Sequence, residues 1–508
     1  MSLSAGEQYL LELINRARLD PAAEAQRYGL GLNAGLAPGT IDADAKQVLA
    51  PNDKLEAAAT RHSTWMLQTN SFSHTGAGGT DAGERMETAG YRFTGSWSWR
   101  ENLAWVGTTG TIDMQAAIRQ HHEGLYRSES HRVNTFAESI REIGIGQVAG
   151  TFDTQGNSYR SSMLTEKFAA AGDDVFVTGV AYRDADRDDF YSVGEGQGGV
   201  WIRGGGSSDS AAAAGGYAIA VNPQDTLRVA VGQGNTVLAR VDIDTTQGNA
   251  KLDVVTAVDG SRSLDLSASA TLVTGIADAR LLGVADLDLR GHMGANELIG
   301  NTGDNHLEGL GGNDRLWGGQ GNDRLDGGSG RDTLSGGDGA DFLAGRDGAD
   351  RLAGDRGNDQ IWAGNGDDRA DGGSGEDVLR GGTGHDWLMG RDGHDILLGE
   401  AGRDWLWGGN GRDRLDGGAG NDRLEGGQGA DTFVFSGHRD TVVDFTDDVD
   451  TILIRQIVAD DNRLSVAEVL DLGTVVQGNA IFDFGNGHVL NVMGVTDLSV
   501  LANDLVII

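Results

Sequence analysis

GGQGNDRLDGGSGRDTLSGGDGADFLA, residues 318–344, is one nine-residue phrase written three times. The phrase runs from Gly291 to Val434 in sixteen copies without insertion or deletion. Its form is G-G-x-G-x-D-x-U-x, with U a large apolar residue. The glycines permit tight turns and close backbone approach. The x-U-x triplet is a short strand with one inward side chain. Two phrases make one coil of a parallel β-roll, and stacked coils bury the U residues. These run from Leu316 to Phe433 at intervals of nine, and Ala370 is the only small one, an expected soft spot. A flexible Gly/Asp linker has no reason to keep an apolar residue in that register.

The sixth position is filled by Asp314, Asp323, Asp332, Asp341, Asp350, Asp359, Asp368, Asp377, Asp386, Asp395, Asp404, Asp413, Asp422 and Asp431. Two leading copies carry Asn296 and Asn305 instead. From Gly300 to Val434 there are 27 Asp plus Glu against 13 Arg and no Lys, a net −14. Carboxylates stacked at the ~4.8 Å inter-strand spacing repel by about 1 kcal/mol per pair even in water. A hard cation with oxygen ligands reverses that term, and Ca²⁺ accepts such ligands in loose geometry. The repeat resembles the calcium-binding nonapeptide of RTX proteins. That resemblance implies several bound Ca²⁺ ions, a Gram-negative source, and an extracellular protein exported by the type I secretion apparatus.

Composition is consistent with this. The chain has 508 residues and no Cys, so neither disulfides nor Cys-ligated metals are available. A formal charge of −36 argues against nucleic acid and anionic membranes as partners. No apolar run is long enough for a transmembrane segment. The opening MSLSAGEQYLLELINRAR lacks a basic segment followed by an apolar core and reads as an amphipathic helix. At the other end, Gly429–Ile454 resembles the end cap of serralysin-type rolls, and Asp504–Ile508 resembles their export signals. The zinc-protease chemistry of serralysins does not carry over. The nearest string, His122-Glu123-Gly124-Leu125-Tyr126, lacks the second His of H-E-x-x-H.

The amino-terminal part resembles the CAP superfamily in a cysteine-free form. The matching stretches, in family order, are YLLELINRAR (9–18), KLEAAATRHSTWM (54–66), FSHTG (72–76), ERMETAGY (84–91), ENLAW (101–105), LYRSESHRVN (125–134) and REIGIGQV (141–148). The resemblance implies an α-β-α sandwich. The residues agree with it: helices at Lys54–Thr69 and Met114–Tyr126, core strands at Ile143–Val148 and Ser161–Phe168. CAP cavities present two His and two Glu, which the resemblance places at His74, Glu101 and His131, with Glu123 as the second Glu. Such a set can hold Zn²⁺, act as acid and base, or form a hydrogen-bonded polar cluster. A serine nucleophile would have to be Ser73 or Ser130. His62 reads as a core or helix-surface residue, and His121 and His122 as solvent-facing.

A second calcium signal follows. Asp184, Asp186, Asp188, Ser192 and Glu195 fall at positions 1, 3, 5, 9 and 12 of an EF-hand-type loop, with Asp189 where glycine is usual. The flanks read as strands, and the block resembles the small β-sandwich repeats of Gram-positive surface proteins. The expected organisation is a CAP-like domain at 1–171, a small β-sandwich at 172–245, a β-rich lead-in at 246–290, the β-roll at 291–434 and a β-rich carboxy-terminal cap with secretion signal at 435–508. Two function classes remain open. One is a secreted binding protein whose head takes a lipid, glycan or protein. The other is a secreted hydrolase acting on peptide or cell-wall material.

Overall fold

The computed structural model describes residues 3–455 and 464–508. It divides into two compact units, Met1–Ala285 and Asp286–Ile508.

In the first unit, helix α1 (Ala5–Leu19) starts at a capping box, Ser4 with Glu7. It is followed by α2 (Pro21–Arg27) and the short strand β1 (Ala50–Pro51). Helix α3 (Asp53–Thr69) is capped by Asn52. Helix α4 (Ala82–Thr88) precedes strand β2 (Ser98–Thr108). Helices α5 (Met114–Arg127) and α6 (Glu129–Thr135) lead into β3 (Glu142–Thr154) and β4 (Asn157–Ala170). The four strands form one sheet in the order β1-β3-β4-β2. Between β3 and β4, Gln155 and Gly156 both have positive φ, the two-residue turn that matches strand twist.

Helices cover both faces of this sheet. On one, Leu10, Leu11 and Ile14 of α1 meet Ile118 and Leu125 of α5 over Ile143, Ile145 and Phe168. On the other, Leu55 and Ala58 of α3 pack with Met86 of α4 and Ala169. The α3 backbone lies directly on β3, where the sequence reads Ile-Gly-Ile-Gly. A Cβ on Gly144 would overlap the Leu55 backbone, and one on Gly146 the Thr60 backbone. This is the expected α-β-α sandwich.

The rest of the first unit is a two-sheet β-sandwich. Strand β5 (Val175–Arg183) pairs with β8 (Gly216–Val221) and, in parallel, with β11 (Ala250–Thr256). The facing sheet holds β6 (Val200–Gly204), β7 (Ser207–Ser210), β9 (Leu227–Gln233) and β10 (Thr236–Ile243). Because β11 completes the sheet begun by β5, residues 250–256, expected in the lead-in, pair within the sandwich. The sandwich is tied to the head by buried polar contacts. Asn249 Nδ2 donates to the carbonyls of Val48 and Arg141, and Lys251 pairs with Glu12 at 2.8 Å.

The second unit is the parallel β-roll. From His306 to Gly429 each strand pairs with the one eighteen residues on, as in Leu316↔Leu334 and Leu325↔Leu343, so two phrases make one coil. The U residues from Leu316 to Phe433 are buried, Ala370 included. The carboxy-terminal segment closes the stack. Thr451–Ile454 lies between Thr432–Phe435 and Leu505–Ile507, and a hairpin (Asn479–Gly485, His488–Val492) pairs with Arg439–Val442. No helix among the described residues is long and apolar enough to cross a membrane.

Candidate functional sites

His74, Glu101 and His131 line one cavity of about 460 Å³, with Trp99, Ser130 and Asn134 in the same wall. His74 comes from the loop after α3, Glu101 from β2 and His131 from α6. Glu101 is the anchor, its side chain 2% exposed. Its Oε1 lies 2.8 Å from His74 Nδ1 and accepts from Arg85 Nη2 at 3.0 Å. Its Oε2 accepts from Arg85 Nη2 at 2.7 Å and from Lys167 Nζ. Burial opposes ionisation of Glu101, but the His74 bond and the Lys167 and Arg85 cations outweigh it and bring its carboxyl down to about 2. Burial lowers the Lys167 ammonium to about 8 despite that partner. Burial, and then His74, lower the His131 imidazole.

Sequence reasoning missed Lys167 and Arg85 as parts of this site. Lys167 stands directly opposite Glu101 in the antiparallel β2–β4 pairing. The available signal was one lysine in the strand Ser161–Ala170, which is buried throughout. Arg85 reaches in from α4 and also donates to the Thr80 carbonyl at 2.6 Å. His62 supports the loop that carries His74. Its Nε2 lies 2.9 Å from the Ser73 carbonyl and its ring stacks on Trp65.

Glu123 does not join the cavity. The buried face of α5 is Ala117, Ile118, His121, His122, Leu125 and Tyr126, which turns Glu123 outward. There it pairs with Arg127 Nε at 2.8 Å, one turn along. His121 and His122, expected at the surface, are the buried ones. Their Nε2 atoms lie 2.9 Å from Ser162 Oγ and 2.9 Å from Glu24 Oε1. Ser130 is in the cavity wall, but among the described residues no histidine is hydrogen-bonded to its hydroxyl. A divalent ion between His74, Glu101 and His131 would sit against the two cations Glu101 already holds. Glu123, turned away, is out of reach as a further ligand to such an ion.

In the loop after β5, Asp184, Asp186 and Asp188 bring carboxylate oxygens within 4.8 Å of one another. Glu195 folds back over the loop, accepting from Ala185 N at 2.7 Å and Ser192 N at 2.8 Å. Ser192 takes part here through its backbone. Asp189 adopts the left-handed conformation, φ +55°, that glycine usually supplies at this position. Its carboxylate pairs with Arg280 at 3.0 Å. Burial pushes the Asp188 carboxyl up, helped by Asp186 and Asp184, against the Phe190 N–H it accepts.

In the roll, each ladder Asp donates its N–H to Oδ1 of the Asp one coil later, as from Asp314 to Asp332 at 2.8 Å and Asp413 to Asp431 at 2.9 Å. The other oxygen, Oδ2, is buried without a hydrogen-bond partner in all fourteen, Asp314 to Asp431. A row of desolvated carboxylate oxygens with nothing to bind is costly unless a cation completes it. Burial raises these carboxyls, Asp314 and Asp359 to about 7. Asp440 extends the row: Asp422 N donates to its Oδ1, and its Oδ2 is likewise unpartnered. The phrase at 435–443 keeps the Asp and an apolar residue but loses the flanking glycines, so the repeat pattern alone stops before it.

Residues 11–156 match the model of the cysteine-rich secretory protein family, CAP. Nine overlapping stretches between 291 and 433 match the RTX calcium-binding nonapeptide repeat. Among solved structures, the chain is similar to an extracellular protein containing a SCP domain from Bacillus anthracis. The identity is 20%, over 32% of this chain and 39% of that one, with a TM-score of 0.20. It is also similar to an extracellular lipase from Serratia marcescens, at 18% identity over 46% and 45% of the two chains, with a TM-score of 0.18. The chain thus spans less than half the length of either. No curated protein matches.

Proposed function

We propose, from the CAP domain at 11–156 and the RTX calcium-binding repeat region at 291–433, that this is a secreted calcium-binding protein whose head is a binding module carried on a calcium-folded export module. The observation that carries the binding reading is the commitment of Glu101. A carboxyl that serves as general acid or base needs a proton affinity near the working pH. Glu101, held low by two cations, is instead a fixed structural charge that orients His74. The cavity then offers a polar, pre-organised pocket to an extracellular lipid, glycan or protein.

The alternative is a hydrolase of peptide or cell-wall material with the same cavity as active site. Turnover decides between them. The full chain, saturated with Ca²⁺, is incubated with casein, peptidoglycan and esters, alongside His74→Ala. The binding reading expects no turnover above background; turnover abolished by His74→Ala would establish the hydrolase.

For the roll, we propose that the fourteen ladder aspartates bind Ca²⁺ between successive coils, with Asp184, Asp186, Asp188 and Glu195 holding a further ion in the sandwich. Residues 435–508 are proposed to carry the type I secretion signal as well as capping the stack, on their resemblance to serralysin ends. Deleting the last sixty residues should retain the protein inside a Gram-negative producer, and normal export of that truncation would refute the assignment.

A further inference from the structure

The acidic roll carries one basic column. Arg315, Thr333, Arg351, Arg369, Trp387, Trp405 and Arg423 occupy the same outward position on successive rungs of one sheet. At ~4.8 Å per rung the column is about 29 Å long. The four arginines are exposed. The close ion pairs of the roll go to other arginines: Arg346 with Asp326, Arg356 with Asp338, Arg380 with Glu400 and Arg391 with Asp371. Arg423 has only Glu425, at 3.8 Å. Among the described residues, Arg315, Arg351 and Arg369 make no ion pair, although acids outnumber arginines two to one around them.

The central part of the column is a stack of rings and guanidinium groups. Trp387 and Trp405 stack on each other at 4.5 Å and 16°. Arg369 lies 5.5 Å above the free face of one ring and Arg423 5.5 Å from the other. A guanidinium held over an aromatic ring keeps N–H donors free for an oxyanion. Calcium changes what this column meets. In the empty roll it faces a net −14; seven divalent ions offset that charge, and further ions reverse it.

We propose that the calcium-loaded roll binds an acidic polysaccharide along this column. The site is one residue wide, flanked by Asp371 and Glu425 of the neighbouring position. It therefore suits a single-file polymer with spaced acid groups. A nucleic-acid duplex, with one charge per ~1.7 Å, would reach beyond this column onto the neighbouring Asp371 and Glu425. Single-stranded nucleic acid needs open aromatic faces on which bases stack, and those of Trp387 and Trp405 are taken by each other and by the arginines.

The test uses the full chain and three probes: heparin, uncharged dextran and duplex DNA, each measured with saturating Ca²⁺ and in chelator. Heparin is expected to bind only with Ca²⁺, and binding should weaken steeply with added salt. Arg351→Gln with Arg369→Gln should weaken it at least tenfold, with the calcium-folding midpoint unchanged. Should that pair disturb folding, Arg315→Gln with Arg423→Gln serves the same purpose. Equal binding of dextran, tighter binding of DNA, undiminished heparin binding in chelator, or full affinity in both double variants would each overturn the proposal.

Discussion

Replacing Glu101 by Gln would leave Lys167 and Arg85 inside the head without their counter-charge. Removing one partner of a buried ion pair costs about 3–5 kcal/mol, and the Lys167 side chain is fully buried. We therefore expect Glu101→Gln to lower the melting temperature of the head substantially, whereas exposed Glu123→Gln should leave it almost unchanged. Calorimetry in saturating Ca²⁺ compares them. The contrast also shows what the sequence could convey at this scale. His74, Glu101 and His131 lay in short family-like stretches and come together. Glu123, taken from the resemblance as the second Glu, is turned outward by a helix that buries the two histidines before it. Lys167 and Arg85 reach Glu101 only through sheet register and helix packing, which no local string encodes. A further residue-scale test lies in the roll. Leu310 fills a second-glycine slot with φ +77°, a conformation that costs a side-chain-bearing residue about 1–2 kcal/mol. Leu310→Gly should stabilise the calcium-loaded roll by about 1 kcal/mol, measured by denaturant titration.

At the scale of elements, period and punctuation were the most legible features. The nine-residue phrase gave the coil, its strands and its buried face. Asn52 and the apolar spacing after it gave α3 to within one residue of its start. The sandwich was less legible, because its sheet is completed by β11 about seventy residues after β5, and pairing across that distance leaves no local mark. The close approach of α3 to β3 was also hidden. It depends on Gly144 and Gly146, which read in sequence only as interruptions of a strand. Gly146→Ala places a methyl against the Thr60 backbone, which cannot rotate away as a side chain would. Overpacking of this kind costs about 1–3 kcal/mol, occasionally more. We expect the upper end of that range, since helix and strand must separate, and Gly150→Ala, which meets only the Leu67 side chain, should cost less.

For the whole molecule, the charge that the sequence totals as −36 is partly arranged as a ladder whose free oxygens are buried, and this fixes how calcium and protons compete. A carboxyl raised from 3.8 to about 7 in the folded roll, as for Asp314, Asp323 and Asp395, binds its proton more tightly when folded than when unfolded. Between those two values the folded form therefore holds more protons, and stability falls as pH rises. Well below 3.8 both forms are protonated and the roll carries no such penalty; the penalty grows through that range and is complete above about 7. Calcium acts in the opposite sense, because it binds the ionised oxygens of the folded form and stabilises it by mass action. In chelator, amide hydrogen exchange across 291–434 should thus be slow near pH 4.5 and approach the unfolded rate by pH 7.5, after correction for intrinsic exchange. Added Ca²⁺ should restore protection at pH 7.5, with a midpoint that shifts to higher Ca²⁺ as pH is lowered to 6. Protection in chelator that stayed constant or grew with pH would mean that the ladder is not the element calcium controls.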